Sequence, residues 1–130
     1  MEYFKELIEI NSRFIKEDNN IRIENLQEVY STLDNFYSRE FDLDEFIKLC
    51  IKLFNMQIFY DGNSRTVFTY FIAVLNKYNY QVDVNKIANE ITELRNFFPI
   101  IYNLNETIND NMIFRIKKNI YPKSKGKGSK

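Results

Sequence analysis

Ten consecutive residues carry most of the chemistry this sequence offers: Gln57-Ile58-Phe59-Tyr60-Asp61-Gly62-Asn63-Ser64-Arg65-Thr66. Apolar residues recur at helical spacing on both sides, so the segment reads as a helix end, a tight loop and a new helix start. Gly62 lets backbone amides come close to a ligand. The first turn of the following helix presents N–H groups without intrahelical acceptors and the positive end of the helix dipole, a setting that suits an anion. Asn63 adds an amide donor, Ser64 lies in the same turn, and the Arg65 guanidinium can fork onto phosphate oxygens. A cation in a first helical turn opposes the macrodipole, which points to an external anion as its partner. Asp61 supplies a hard oxygen for a Mg²⁺ ion bridging two phosphates. On these residues alone, Asp-Gly-Asn is equally a common turn and helix cap, and Arg65 equally a solvated cation.

The chain contains no histidine. That removes Ser-His-Asp and Cys-His catalysis, histidine zinc ligation and an imidazole general base together. Its single cysteine, Cys50, excludes an internal disulfide. Cys50 shares a helical face with Phe46, Leu53 and Phe54, as expected of a small buried thiol.

The elements that must position this loop are helices. At 130 residues with 45% hydrophobic and 28% charged residues, the chain fits one globular domain, assigned to residues 1–122. Three glycines and two prolines are too few for the turns of a β-sandwich or barrel. The expected fold is all-α, a compact bundle of about six helices with the candidate phosphate-binding loop between the third and fourth. The first helix is expected over residues 2–17 and the second along the Leu26, Val29, Tyr30, Leu33, Phe36 and Tyr37 stripe. A third follows an Asp42/Glu45 capping box, its apolar face reaching Gln57. The fourth carries Val67, Phe71, Val74, Leu75 and Tyr78. The fifth starts after Asp83 and stops before Pro99. The sixth runs from about Asn105 to Lys118, although residues 112–121 also favour strand.

Charge is zero overall but uneven. Seven basic residues from Arg115 to Lys130 have no acidic counterpart, so the remainder is acidic by seven. Such a domain is a poor nucleic-acid binder, because phosphate backbones need clustered cations. The basic Gly-Ser-Lys tail, 123–130, reads as a solvated, disordered end. The longest apolar run, Val67–Leu75, is too short to span a membrane, and residues 1–8 do not resemble a signal peptide. A cytoplasmic protein is the expectation.

The longer pattern Phe-x-Asp-Gly-Asn-x-Arg-Thr, from Phe59 to Thr66, resembles the signature loop of the Fic/Doc family, His-x-Phe-x-Asp/Glu-Gly-Asn-x-Arg. The resemblance extends from about Asp44 to Val84, where Asn79-Tyr80 and Asp83 also resemble the family's exit from its motif helix. It implies a Fic-like helical bundle that transfers AMP from ATP to a protein hydroxyl or, in the Doc branch, a phosphate, as a toxin restrained by an antitoxin. It further implies ATP or another nucleoside triphosphate with Mg²⁺, and a target or antitoxin-like protein as partner. Phe59 would anchor the loop, Asp61 hold the metal, Gly62, Asn63 and Ser64 cradle the anion, and Arg65 contact phosphate.

The family's catalytic histidine corresponds to Gln57, an amide with no useful basicity near neutral pH. The resemblance therefore implies a domain inactive as written: a natural pseudoenzyme, or one whose histidine has been replaced. Many AMP-transferring members also have Gly at the Ser64 position and a second Arg where this chain has Phe68. The Doc branch lacks that second Arg too. Ser12–Asn19 is similar to the inhibitory helix of some members, but Glu17 falls one residue late and its usual partner, the second Arg, is missing, so the segment reads as part of an ordinary first helix. Three functional classes stay open: an AMP-transferase-type domain, a Doc-like toxin kinase with an inactivating substitution, and a non-catalytic interaction module using its many aromatics.

Overall fold

The second, third and fourth apolar stripes of the sequence form helices with close to the expected bounds. A computed structural model of the chain describes residues 2–16, 20–97 and 110–123. Six α-helices and one two-stranded sheet lie among them, so the protein is mostly helical. The residues group into two compact units, Met1–Phe71 and Ile72–Lys130.

In the first unit, α1 (Glu2–Phe14) buries Phe4, Leu7, Ile10 and Asn11, spaced three and four apart along one face. It ends short of the expected residue 17; residues 17–19 lie outside the described chain. A 3₁₀ turn (Ile23–Asn25) leads into α2 (Leu26–Tyr37), which buries Val29 and Leu33. The Asp42 side chain accepts the Glu45 N–H at 3.0 Å and starts α3 (Leu43–Met56). α3 is the most deeply placed helix of this unit, with Phe46, Ile47, Leu49, Cys50, Ile51 and Leu53 all buried. Phe46 is the hub of an aromatic cluster, with Phe36, Phe41, Tyr70 and Phe71 at centroid distances of 5.7, 5.6, 6.2 and 5.7 Å. Phe71 stacks parallel to it. That cluster fixes α4 (Asn63–Lys77) on α3 and α2, and so fixes where α4 begins.

The expected apolar face of α3 was to reach Gln57, but the helix stops at Met56. Gln57 is left-handed, with φ 51° and ψ 57°. The turn is required because Ile58 and Phe59 follow at once and are both buried. A continued helix would carry them past the core.

In the second unit, the left-handed Asn79 (φ 65°) ends α4. β1 (Tyr80–Val82) follows, then α5 (Val84–Phe97), α6 (Asp110–Lys117) and β2 (Ile120–Pro122). β1 and β2 pair antiparallel, with Gln81 opposite Tyr121. The Asp83 side chain accepts the Lys86 N–H at 3.2 Å, the expected cap of α5. Ile87, Met112, Ile113, Ile116 and Ile120 form the apolar interior. Glu90 on α5 meets Arg115 at 2.8 Å and Lys118 at 3.5 Å, and these cations hold its carboxyl below the ordinary range, the Arg115 hydrogen bond foremost. Of the expected sixth helix, residues 105–109 lie outside the described chain, as does the tail beyond Lys123. Among the described residues no helix is long and apolar enough to cross a membrane.

Candidate functional site

The loop between α3 and α4 is held in large part by asparagine side chains that bond its backbone. At its entrance, Asn25 Nδ2 donates to the carbonyls of Met56 and Gln57 at 2.8 and 2.9 Å. These are among the last carbonyls of α3, which have no partner within the helix. At its exit, Asn63 and Phe59 exchange two hydrogen bonds. The Phe59 N–H donates to Asn63 Oδ1 at 2.8 Å, and Asn63 Nδ2 donates back to the Phe59 carbonyl at 2.6 Å. The chain closes a ring across Tyr60, Asp61 and Gly62.

From α1, Asn11 Nδ2 donates to the Asp61 carbonyl at 3.1 Å and to Thr66 Oγ1 at 3.0 Å. Asn20 Nδ2 donates to the same carbonyl at 3.0 Å and to Asn11 Oδ1 at 2.8 Å. Asn11, Asn20 and Thr66 are buried, so these bonds form away from competing water. Two backbone bonds add a short antiparallel pairing: Arg22 N–H to the Ile58 carbonyl and Tyr60 N–H to the Asn20 carbonyl, both 2.8 Å. Ile21 and Phe59 sit opposite each other in this bridge.

Each residue singled out in the sequence has a definite place. Phe59 is 1% exposed and pins the loop to the core. Gly62 has φ 79°, and a Cβ there would lie 3.0 Å from Ile15 Cγ1 and 3.1 Å from Asn11 Nδ2. Both conformation and space therefore call for glycine. Asp61 is exposed; its Oδ1 accepts the Gly62 N–H at 2.8 Å. Ser64 is half-buried in the first turn of α4, and Arg65 is exposed in the same turn. That turn contains no acidic residue. The Arg65 guanidinium lies 5.2 Å from the Phe14 ring centroid. Gln57 is exposed at the loop entrance.

Asn63 was expected to offer its amide to an anion, whereas its side chain is committed to Phe59. The donors this leaves to a ligand are the Arg65 guanidinium and the backbone N–H groups of Asn63, Ser64 and Arg65, which open α4 and have no intrahelical acceptor. The side chains of Asn11, Asn20 and Asn25 were not anticipated. Their one trace in the sequence is position: Asn11 is a polar residue on the buried face of α1, beside Leu7 and Ile10.

No family model, curated protein or solved structure matches the chain.

Two other groups could be mistaken for a reactive centre. Cys50 is buried on α3, and desolvation pushes its thiol up, away from the thiolate a nucleophile needs. Tyr70 shares a short hydrogen bond with the Tyr37 hydroxyl, and burial, followed by Tyr37, raises its phenol far above the ordinary value. Both stay protonated. A cleft of about 410 Å³ lies between α2 and α3, with Phe36, Arg39, Glu45, Leu49 and Lys52 in its walls, and none of residues 57–66 line it. The Lys48–Glu45 pair at 3.1 Å satisfies part of its charge internally. The loop is the stronger site, because an exposed carboxylate, the amides that open α4 and an exposed cation follow one another between Asp61 and Arg65.

Proposed function

We propose that the α3–α4 loop is a nucleotide-phosphate site of the Fic/Doc type, in a domain where the residue standing for the transfer base is an amide. One observation carries this reading: the Asn63–Phe59 double hydrogen bond closes the loop before α4 begins. The closed loop delivers a helix start with Arg65 in its first turn and no acidic residue beside it. An anion there meets N–H groups already held in place, so binding requires little reordering. The buried Phe59, the left-handed Gly62 and the exposed Asp61 agree with the roles the motif implies.

Asp61 fits a magnesium ion shared with phosphate. Its carboxylate is exposed, supplies hard oxygen and is oriented by the Gly62 N–H. Among the described residues no group of three or more His, Cys, Asp or Glu side chains converges to hold a metal, so phosphate oxygens and water would complete the shell. The ion, when bound, neutralises charge on the outer phosphates.

Gln57 cannot accept a proton from an attacking hydroxyl near neutral pH. It can hydrogen-bond one. Loss of a general base typically costs about 10²–10⁴-fold. The domain as it stands binds nucleotide and transfers AMP or phosphate slowly or not at all.

Calorimetric titration of ATP with Mg²⁺ into the protein and into Arg65→Ala tests this. Binding to the first and loss in the second is the expected outcome. Gln57→His with labelled ATP and a lysate should then label a target protein, or reveal phosphate transfer. No binding at millimolar ATP would remove the nucleotide reading and leave a protein-binding module as the alternative.

A further inference from the structure

Beside the loop stands a side-chain pair that phosphate binding does not explain. Tyr60, between the buried Phe59 and Asp61, is 58% exposed, against 1% for its neighbour. The Arg22 guanidinium covers its ring at 4.8 Å from the centroid. Tyr60 is held by its backbone, through the Asn20 carbonyl, and Arg22 by its N–H on the Ile58 carbonyl. The pair is thus built on the pairing that shapes the loop. Among the described residues Arg22 Nε is buried without a hydrogen-bond partner, and the Glu24 carboxylate stands 3.7 Å from Nη1. Among the described residues the guanidinium thus meets the Tyr60 ring on one side and Glu24 at its Nη1.

An aromatic ring with a cation on one face has its electron density drawn to that side. Its other face becomes a better partner for an electron-rich flat group. Stacking on an exposed aromatic is how proteins hold nucleobases without reading their edges. We propose that the open face of Tyr60, backed by Arg22, stacks the base of the nucleotide whose phosphates the start of α4 holds. The site thereby takes nucleoside triphosphates in preference to inorganic phosphates. This rests on the phosphate-site reading above. Stacking discriminates by ring area and electron density rather than by hydrogen-bond pattern, so ATP and GTP bind alike and both bind better than UTP.

The test uses the full chain, Mg²⁺, and two probes: ATP and inorganic tripolyphosphate. Affinities are measured by calorimetry for the unaltered protein, Tyr60→Ala, Tyr60→Phe and Arg22→Gln. In the unaltered protein ATP binds more tightly than tripolyphosphate by about five- to 150-fold, the range for one stacked base. Tyr60→Ala abolishes that advantage and leaves tripolyphosphate affinity unchanged. Tyr60→Phe retains it, and Arg22→Gln reduces it. Equal binding of both probes by the unaltered protein, or a parallel loss of both in Tyr60→Ala, overturns the stacking proposal while the phosphate site stands. If neither probe binds, the phosphate site falls and the proposal falls with it.

Discussion

Asn11→Ala is the sharpest test of how the loop is held. Asn11 makes three hydrogen bonds from a position 4% exposed: two donated by Nδ2, to the Asp61 carbonyl and Thr66 Oγ1, and one accepted by Oδ1 from Asn20. Each such bond is worth about 0.5–1.5 kcal/mol net, and a buried group left without a partner costs about 1–3 kcal/mol. The Asp61 carbonyl keeps Asn20 and loses little. Thr66 Oγ1, fully buried, loses a donor. The expected loss is about 2–4 kcal/mol, well above that of a surface substitution. In urea this moves the unfolding midpoint down by roughly 1–2 M for a slope of about 2 kcal/mol/M, the middle of the usual range.

Asn11→Asp sharpens the argument. It keeps the acceptor for Asn20 but turns the two-bond donor into a carboxylate oxygen facing the Asp61 carbonyl. Near neutral pH it should cost at least as much as alanine. The folded form then takes up a proton more readily than the unfolded form, so the deficit narrows on acidification. Far-UV circular dichroism against urea, at pH 7 and in mild acid, reads both effects. A loss below about 0.5 kcal/mol for Asn11→Ala would refute the clamp as a source of loop stability.

Three further outcomes follow from the same geometry. Gly62→Ala places a Cβ 3.0 Å from Ile15 Cγ1 at φ 79° and should cost about 1–3 kcal/mol; an unchanged melting temperature would contradict the strain argument. The Glu90 carboxyl, held low by Arg115 and Lys118, contributes stability that is present above its unfolded value near 4.5 and is lost as pH falls through the lower folded value. Glu90→Gln should therefore lower stability at pH 7 and flatten the acid limb, read by denaturation at several pH values; an unchanged acid limb would show that the cluster adds nothing. Cys50, buried with its thiol pushed up, should react with iodoacetamide only as fast as the first unit opens; native-state labelling at the rate of a free thiol would sink the packing of α3.

The helices were legible because their signals are local and periodic. The 26–37 stripe became α2, and Asp42 and Asp83 cap the helices they precede. The strand tendency of residues 112–121 was visible, and strand forms at Ile120–Pro122, but its pairing with Tyr80–Val82 was not anticipated, since the two are three residues each and about 40 apart in sequence. No pattern within either reveals the other. The loop was recognised by residue type, yet the residues that hold it were not. Asn11, Asn20 and Asn25 bond backbone atoms 31 to 50 residues away, and such bonds follow proximity in space rather than spacing in the chain. Asn63 read as a donor for a ligand because amides do both jobs; only the Phe59 peptide, four residues back, decides between them.

The four clamps are neutral amides, and this separates the loop's architecture from its electrical behaviour. Asn11, Asn20, Asn25 and Asn63 neither titrate nor attract counterions, so the hydrogen bonds these four side chains make do not depend on their own protonation or on ionic strength. The exposed charges of Asp61 and Arg65 are screened over about 10 Å at 0.1 M salt and less at higher salt. An anion's hold on the loop should therefore weaken steadily with added salt while the loop itself stays fixed. Affinity can be tuned by the medium without the scaffold being redrawn.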